Sequence, residues 1–171
     1  MNNTAVNTIK YTGIVTLSQY NGKTKTQIAQ VSNTGGNKLF EFITDCLIGD
    51  FDIAKQNRPT KLKLLYRTPD EDNLKSYKYT SSSHFIFLMN KPEKVYSENG
   101  GKVRYSFMLS RDLLAGNKFN CIGLYADSAR ERDSDIEAFA ALCEVSEELN
   151  SASLSSSSVL VVDWELIISN K

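Results

Sequence analysis

The sequence contains a single histidine, His84, and a search for catalytic chemistry starts from it. His84 directly follows three serines, at positions 81–83, so a hydrolase would use His84 as the base beside one of these serines or beside a cysteine elsewhere in the chain. No GxSxG nucleophile elbow accompanies it. We therefore interpret His84 as a turn residue before a strand, and we keep a small hydrolase as an alternative function.

Two acidic clusters, at positions 70–73 and 127–135, are the candidates for a metal site or a sugar-cleaving site. A calcium loop alternates oxygen ligands and needs a glycine at its sharp turn, and neither cluster contains that glycine. Paired carboxylates for glycoside hydrolysis stay open, although no pair stands out. We interpret both clusters as solvated loops, and we predict no catalytic residue, no metal and no cofactor.

Two further features were considered as sites. The segment 34–38, Thr-Gly-Gly-Asn-Lys, opens a predicted helix where a phosphate could bind, but the Walker spacing is absent and a strand-to-helix turn is favoured. Cys46, Cys121 and Cys143 form no CxxC pair, which argues against structural zinc. Their apolar surroundings predict three buried, small hydrophobic side chains.

Length and charge limit the classes of protein that fit. The chain has 171 residues, enough for one domain with a sizeable core, and its formal net charge is +0. A balanced charge disfavours nucleic acid as the main partner. The start of the chain lacks signal-peptide features, and no apolar run reaches the roughly 18 residues of a membrane span. We expect an N-terminal arm, residues 1–8, and a single domain, residues 9–171, with no membrane partner.

Apolar and polar residues alternate at the two-residue period of strands in many parts of the chain. The clearest case is 159–169, where one predicted face is apolar: Leu160, Val162, Trp164, Leu166 and Ile168. Asn-Gly at 21–22 and Asn-Gly-Gly at 99–101 predict two hairpin turns. Residues 119–126 are predicted to form another strand. An apolar run at 85–89 predicts a central strand that is covered on both sides.

One helix is predicted at 37–48, because Leu39, Phe40, Ile43 and Leu47 share a face and Gly49 is a suitable C-cap. Residues 50–60 and 68–83 are predicted to be loops. Residues 136–146 fit either a helix or a strand, and we favour the strand because strands flank it.

Together these elements predict a mainly β fold: an antiparallel β-sandwich or jelly-roll-like domain of about eight strands with one helix. The predicted core anchors are large side chains on apolar faces: Trp164, Phe107, Phe85 and Phe40.

Eight tyrosines are many for a chain of this size. Exposed tyrosines could stack on sugars or contact proteins, because each has an apolar face and a polar tip. A carbohydrate-binding β-sandwich module, acting as a receptor or fibre adaptor, is therefore an alternative function. The mixed-charge run at 129–137 is interpreted as a solvated loop that could also bring subunits together by charge.

Four segments in this order resemble small virion structural proteins of tailed bacteriophages: YTGIVTL at 11–17, NKLFEF at 37–42, CIGLY at 121–125 and VLVVDWELIISN at 159–170. The resemblance implies a non-enzymatic subunit of a symmetric tail, collar, ring or fibre-attachment assembly. It also implies that the protein is made in the host cytoplasm and resides in the virion, with copies of itself and other virion proteins as partners.

In such an assembly the polar arm and the loops would contact neighbouring subunits. We expect at least one of the loops 68–83 and 127–137 to take part in these contacts. The candidate inter-subunit residues are Asn2, Asn3, Thr4, Arg130, Arg132 and Asp133.

Overall fold

The computed structural model describes residues 9–73, 75–81, 84–98, 100–115, 118–130, 139–149 and 153–170. Within these residues the fold is mainly β, as predicted, with ten strands and three helices. The strands are β1 (Ile9–Tyr20), β2 (Lys25–Gly35), β3 (Pro59–Pro69), β4 (Tyr77–Ser81), β5 (Ile86–Phe87), β6 (Glu93–Ser97), β7 (Gly100–Leu109), β8 (Phe119–Ala126), β9 (Phe139–Leu149) and β10 (Val159–Asn170). The helices are α1 (Asn37–Ile48), α2 (Phe51–Asn57) and α3 (Arg111–Leu114). No helix in the described part of the chain is long and apolar enough to cross a membrane.

All ten strands belong to one antiparallel sheet, in the order β4-β3-β8-β9-β2-β1-β10-β7-β6. The short strand β5 pairs with β3, and just beyond it the Met89 N–H donates to the carbonyl of Ser106 in β7, with 3.3 Å between N and O. The sheet therefore curls until the segment around β5 links β3 to β7. The division into two sheets expected for a sandwich or jelly-roll is not confirmed.

The C-terminal strand β10 is an interior strand of this sheet, with β7 and β6 between it and one edge. It pairs along its whole length with β1, from Ile9 opposite Asn170 to Tyr20 opposite Val159, and its other edge pairs with β7. The alternation of its side chains places Trp164 on the inner face, where Trp164 is completely buried. Ile168, at the end of the same face, is partly exposed.

The main core fills the inside of the curled sheet. Trp164 and Phe107 are fully buried there, among side chains that come from strands near both ends of the sheet. Helix α1 closes one end of this core through Leu39, with Phe42 and Ile43 packed beside it. The other buried large residues of this core are Val15, Leu17, Leu62, Leu64, Tyr105, Leu109, Leu114, Phe119, Ile122, Leu124, Val145, Leu149, Leu154, Leu160, Val162 and Leu166.

A second, smaller core covers the outer face of β3 and β8. Phe85 and Tyr125 meet there edge to face, with ring centroids 5.2 Å apart. Lys63 is only 1% exposed, and its ammonium nitrogen lies 4.4 Å from the centroid of the Phe85 ring. An ammonium over an aromatic face is attracted by the ring quadrupole, so this contact compensates part of the cost of burying the charge. The second core explains why Cys121 on β8 is as buried as the residues facing the main core.

The outer face of β10 carries charges rather than a second apolar layer. Asp163 pairs with Lys25 and accepts a hydrogen bond from Ser106, with 2.7 Å between the oxygens. Glu165 accepts hydrogen bonds through its Oε1 from Lys102 at 2.9 Å and from Arg104 Nη2 at 2.7 Å. These pairs tie β10 laterally to β2 and β7, because the partners come from different strands.

Several predicted elements are confirmed. Helix α1 spans the predicted residues, and β8 occupies the predicted strand 119–126. Hairpins join β1 to β2 and β6 to β7, as predicted, although in the second one Gly100 and Gly101 belong to β7 and Asn99 lies outside the described residues. The ambiguous segment 136–146 contains β9, so the favoured strand is confirmed from Phe139 onward, whereas residues 136–138 lie outside the described residues.

Three element predictions are wrong. The predicted loop 50–60 contains α2, which begins where Asp50 accepts a hydrogen bond from the Ile53 N–H at 3.2 Å. The predicted loop 68–83 contains β4, which pairs with the second half of β3. The predicted central strand 85–89 is only the two-residue β5, with Phe87 and Met89 exposed, because only Phe85 turns into the second core.

Three of the four predicted core anchors are buried, and one is exposed. Trp164, Phe107 and Phe85 are buried, but the prediction for Phe40 is wrong, because 52% of this residue is exposed. Helix α1 rests on the sheet through Leu39 and, one turn later, Phe42 and Ile43, and this orientation turns Phe40 outward.

We predict that Trp164→Ala destabilises the fold strongly. Truncating a fully buried tryptophan leaves a cavity and costs about 3–5 kcal/mol. Trp164→Phe should cost less, because it keeps most of the volume and removes an Nε1–H that has no hydrogen-bond partner among the described residues. Ile168→Ala, on the same face of β10 but partly exposed, is the matched control. Urea unfolding would measure all three, and a wild-type midpoint for Trp164→Ala would contradict the central role of β10.

We also predict that Glu165 makes stability depend on pH. Burial raises the pKa of the Glu165 carboxyl, but hydrogen bonds from Lys102 and Arg104 and their charges outweigh burial, so the pKa lies below its ordinary 4.5. A lowered folded-state pKa means that the ionised carboxyl stabilises the fold above pH 4.5 and that this stabilisation is lost as pH falls through the folded pKa.

Glu165→Gln should therefore be less stable than wild type at neutral pH, with a difference that shrinks in acid. Urea midpoints measured over a pH series would show this. The control is Glu93→Gln, which removes an exposed carboxylate at the rim of the same network, 3.4 Å from Arg104, and should leave the pH profile nearly unchanged. Parallel profiles for wild type and Glu165→Gln would count against the prediction.

Candidate functional site

The two helices α1 and α2 form a hairpin whose end projects from the sheet. Gly49 ends α1 in the left-handed conformation, with φ 82°, and its N–H donates to the carbonyl of Asp45. Asp45 also accepts a hydrogen bond from Asn57 at 3.0 Å, which holds α2 against α1. The hairpin end is therefore a fixed structure, although every residue from 46 to 53 is exposed.

The exposed end of this hairpin is apolar, and we call Leu47, Ile48, Phe51 and Ile53 the apolar knob. Leu47 is 80% exposed, Ile48 72% and Phe51 70%. Isolated exposed apolar residues are normal in soluble proteins, but a contiguous group of large ones marks a contact surface. The knob is such a group, since its members are close in sequence on one tight helical hairpin.

The charged residues within the exposed stretch 46–53 are both acidic: Asp50 and Asp52. Asp50 caps α2 and Asp52 lies in the first turn of this helix, where a negative charge interacts favourably with the helix dipole. Neither carboxylate forms an ion pair with another described residue. The knob is thus an apolar tip with an acidic border.

An open groove of about 380 Å³ lies at the end of the main core that α1 covers. We call it the apolar groove. One wall is the first half of α1 and the other walls are strands β1, β10, β7 and β6. Its lining residues are Tyr11, Leu39, Phe42, Ile43, Lys94, Tyr96, Gly100, Gly101, Lys102, Val103, Tyr105, Leu166 and Ile168.

The β6–β7 hairpin shapes the outer rim of the groove. Gly100 has φ 156°, and a Cβ at this position would lie 2.1 Å from the carbonyl oxygen of Ile168, so only glycine allows the strands to approach this closely. The ring of Tyr96 lies over Gly101, where an added Cβ would come within 3.4 Å of it. The rim is therefore a tight backbone platform with an aromatic side chain above it.

Polar groups in the groove are few. Tyr11 accepts a hydrogen bond from Asn33 Nδ2 at 3.3 Å, and burial, partly offset by this hydrogen bond, raises the Tyr11 pKa. Burial raises the pKa of Tyr105 to about 12, so both phenols stay neutral at physiological pH. Lys102 is paired with Glu165. Lys94 has no carboxylate partner among the described residues and lies 5.7 Å from the Tyr96 ring. The groove can hold an apolar group and attract a negative charge at its rim.

The residues that sequence analysis considered for catalysis do not meet in this groove. His84 is exposed at a bend before β5 and is not part of the lining, and Ser82 and Ser83 lie outside the described residues. Among the described residues, no cluster of three or more His, Cys, Asp or Glu side chains is placed to hold a metal ion.

The acidic and glycine-rich segments have structural contacts. Asp70 accepts hydrogen bonds from Lys78 at 3.0 Å and from Ser76 at 3.1 Å, and the Lys78 hydrogen bond in particular lowers the Asp70 pKa. Asp127 accepts a hydrogen bond from Thr60 at 2.8 Å. At the start of α1 the Gly36 N–H donates to Ala140 at 2.8 Å, consistent with the strand-to-helix turn that was predicted there.

The cysteines are all free, but they are not all buried. Cys121 and Cys143 are buried in neighbouring strands, and burial raises the pKa of Cys121 to about 11 and that of Cys143 to about 12. The prediction that Cys46 is buried is wrong, because the last turn of α1 extends past the sheet and leaves Cys46 exposed next to the knob.

Of the six predicted inter-subunit residues, one belongs to the described part of the chain. Asn2, Asn3, Thr4, Arg132 and Asp133 lie outside the described residues, and Arg130 is exposed.

Comparison of the chain with protein-family models, curated proteins and solved structures finds no match. The geometry of the described residues is therefore the basis for a functional interpretation.

Neither the knob nor the groove is predicted from the sequence. Helical spacing places Leu47 on the same face of α1 as Leu39 and Ile43, and the predicted boundaries place Ile48 at a helix end and Phe51 in a loop. The signal that could have revealed the knob is the excess of apolar residues over 46–53, more than one side of a 12-residue helix can bury. The groove depends on the pairing of β6 with β7 and on the curl of the sheet, which no local pattern specifies.

We predict that the double substitution Leu47→Ser with Ile48→Ser leaves the fold intact and reduces the exposed apolar surface. Both side chains are largely exposed, so their replacement removes little packing. Thermal melting should stay near wild type while binding of a hydrophobic dye falls. Leu39→Ser is the matched control on the same helix, and it should unfold or strongly destabilise the protein because Leu39 is buried. Unchanged dye binding by the double variant would show that the knob is not the apolar surface the dye reports.

Proposed function

We propose that this chain is a non-enzymatic structural subunit of a bacteriophage virion, and that copies of it join in a symmetric tail, collar or ring assembly. The observation that carries the proposal is the apolar knob, in which Leu47, Ile48 and Phe51 stand in solvent on a fixed hairpin. A folded protein exposes such a surface at a free-energy cost in water, and contact with another protein removes that cost.

The sheet suits a structural subunit, because such a subunit must hold its contacts with different neighbours at fixed positions relative to one another. Strand β10 is paired on both edges, and the curl of the sheet joins its distant strands through the segment around β5. We include in the proposal that the sheet folds over in a sandwich-like or jelly-roll-like manner, which would give a stiff body. The N-terminal arm and the loops would then add contacts to neighbours.

The charge balance supports assembly from identical copies. A formal net charge of +0 means that copies do not repel one another strongly as they accumulate. The same balance gives no reason to expect nucleic acid as the principal partner. Synthesis in the host cytoplasm and residence in the virion follow from the proposed role.

Sugar binding is a second candidate, and one observation favours it. Tyr96 is 76% exposed on the rim of the apolar groove, where its ring could stack on a sugar. The other exposed tyrosine among the described residues, Tyr77, offers less, because the guanidinium carbon of Arg67 lies 3.4 Å from its ring centroid and covers one face. A hydrolase has less support, since His84 does not line the groove.

The proposal predicts that the protein is a component of intact particles. Antibodies raised against the purified protein should label particles of the bacteriophage that encodes it at one defined place, as seen by immunogold electron microscopy. The control is the same antibody after absorption with the protein. Label confined to host cell debris, with clean particles, would contradict the proposal. A glycan array run in parallel tests the sugar-binding candidate, which requires binding that Tyr96→Ala abolishes.

A further inference from the structure

The chain carries two complementary apolar features that its own fold leaves open. The apolar knob projects into solvent, and the apolar groove is an open concavity of about 380 Å³. This volume lies within the roughly 300–1,000 Å³ of pockets that bury a drug-sized group, so the groove can accept several large side chains. A protrusion and a cavity of the same chemistry on one molecule are the two halves of a head-to-tail contact.

We infer that the knob of one copy inserts into the apolar groove of the next, so that copies join head to tail. The inference rests on the proposed function and names the partner of the exposed apolar surface as a second copy of this chain. Leu47, Ile48 and Phe51 are the inserting side chains, and they would meet the groove beside Tyr96 and Val103.

Charge complementarity selects this occupant. The knob is bordered by the acidic Asp50 and Asp52, whereas the groove rim carries Lys94, which has no carboxylate partner among the described residues. Insertion brings opposite charges together at the edge of an apolar contact, where they fix register and orientation.

The same charges argue against a two-fold contact of knob against knob. That arrangement would place Asp50 and Asp52 of one copy near the same carboxylates of the other, with no cation inside the stretch 46–53 to compensate them. Like charges in close contact disfavour an interface. The knob-to-groove contact avoids this repulsion.

Helix α1 links the two features within each copy. Its residues Leu39, Phe42 and Ile43 line the groove, and Leu47 with Ile48 begins the knob at its other end. The helix rises about 1.5 Å per residue, so the two features are offset along α1 by roughly two turns. A copy that receives a knob therefore still presents its own, and the contact can repeat.

The test uses two variants of the full chain and their mixture. The knob variant carries Leu47→Asp and Ile48→Asp, and the groove variant carries Lys94→Glu and Tyr96→Ser. All four positions are exposed, and circular dichroism would verify that both variants fold. Analytical ultracentrifugation over a concentration series then measures the mass of each protein alone and of the two together.

We expect wild type to form species larger than a dimer as concentration rises. Each variant alone should be monomeric, with the knob variant at least about a hundredfold weaker in association because two large apolar side chains are lost from the contact. The mixture should form a one-to-one dimer and nothing larger, since only one intact knob and one intact groove are present. Leu113→Asp, an exposed apolar position on α3 beyond the far end of β7, is the control and should assemble as wild type does.

A charge exchange tests the register of the contact. Lys94→Asp should weaken self-association about two- to fivefold, as expected for an exposed ion pair, and adding Asp52→Lys to the same chain should restore it. Failure of the second substitution to restore association would overturn the pairing of Asp52 of one copy with Lys94 of the next.

Four outcomes of the ultracentrifugation would overturn the inference: monomeric wild type throughout the series, wild-type assembly by the groove variant, wild-type assembly by the knob variant, or a mixture that stays monomeric. Wild-type assembly by the groove variant alone would indicate the knob-to-knob contact instead. Native mass spectrometry would detect a small apolar molecule that occupies the groove of a monomeric protein, which would also overturn it. Head-to-tail assembly without label on particles would leave the contact standing and the virion role refuted, whereas label on particles with monomeric wild type would do the reverse.

Discussion

The pairing of β10 on both of its edges is the constraint on which the rest of the structure depends. This strand comes last in the chain, yet β1 lies on one side of it and β7 on the other. Its inner face supplies Trp164 to the centre of the core, and its outer face supplies Asp163 to an ion pair with β2, one strand beyond β1, and Glu165 to ion pairs with β7. A strand used in this way joins the beginning, middle and end of the chain, so the sheet forms as one unit.

The two faces of β10 are stabilised by different physics. The inner face is held by burial of apolar area, which has no direction and tolerates small shifts. The outer face is held by charge-assisted hydrogen bonds, such as those from Lys102 and Arg104 to Glu165, which depend on geometry. A slip of one residue would exchange the two faces, placing carboxylates in the core and Trp164 in water. The ion pairs therefore contribute to register as well as to stability.

Local sequence pattern is sufficient to predict a secondary-structure element wherever the periodicity and the turn residues of that segment determine it. The extent of α1, the strand β8 and the hairpin turns could be predicted from periodicity and turn residues alone. The side of α1 that faces the sheet could not, because the choice between Phe40 and Phe42 depends on where the helix rests on the curled sheet. The groove depends on contacts between β6, β7 and α1 that are distant in sequence. The resemblance to virion proteins implied assembly through the N-terminal arm and the loops, and it included neither the knob nor the groove.

The knob and the groove belong to one rigid frame, and this has a consequence for symmetry. Leu39 and Ile43 fix α1 on the core, while β7 and β10 fix the groove, so the angle between the two features is set within each copy. Every head-to-tail contact of the proposed kind would then repeat the same rotation and translation. Such a repeat closes into a ring when the rotation divides a full turn without a net rise, and otherwise continues as a helix. The packing of α1 on the sheet, together with the docking angle at the contact, would therefore determine which assembly forms.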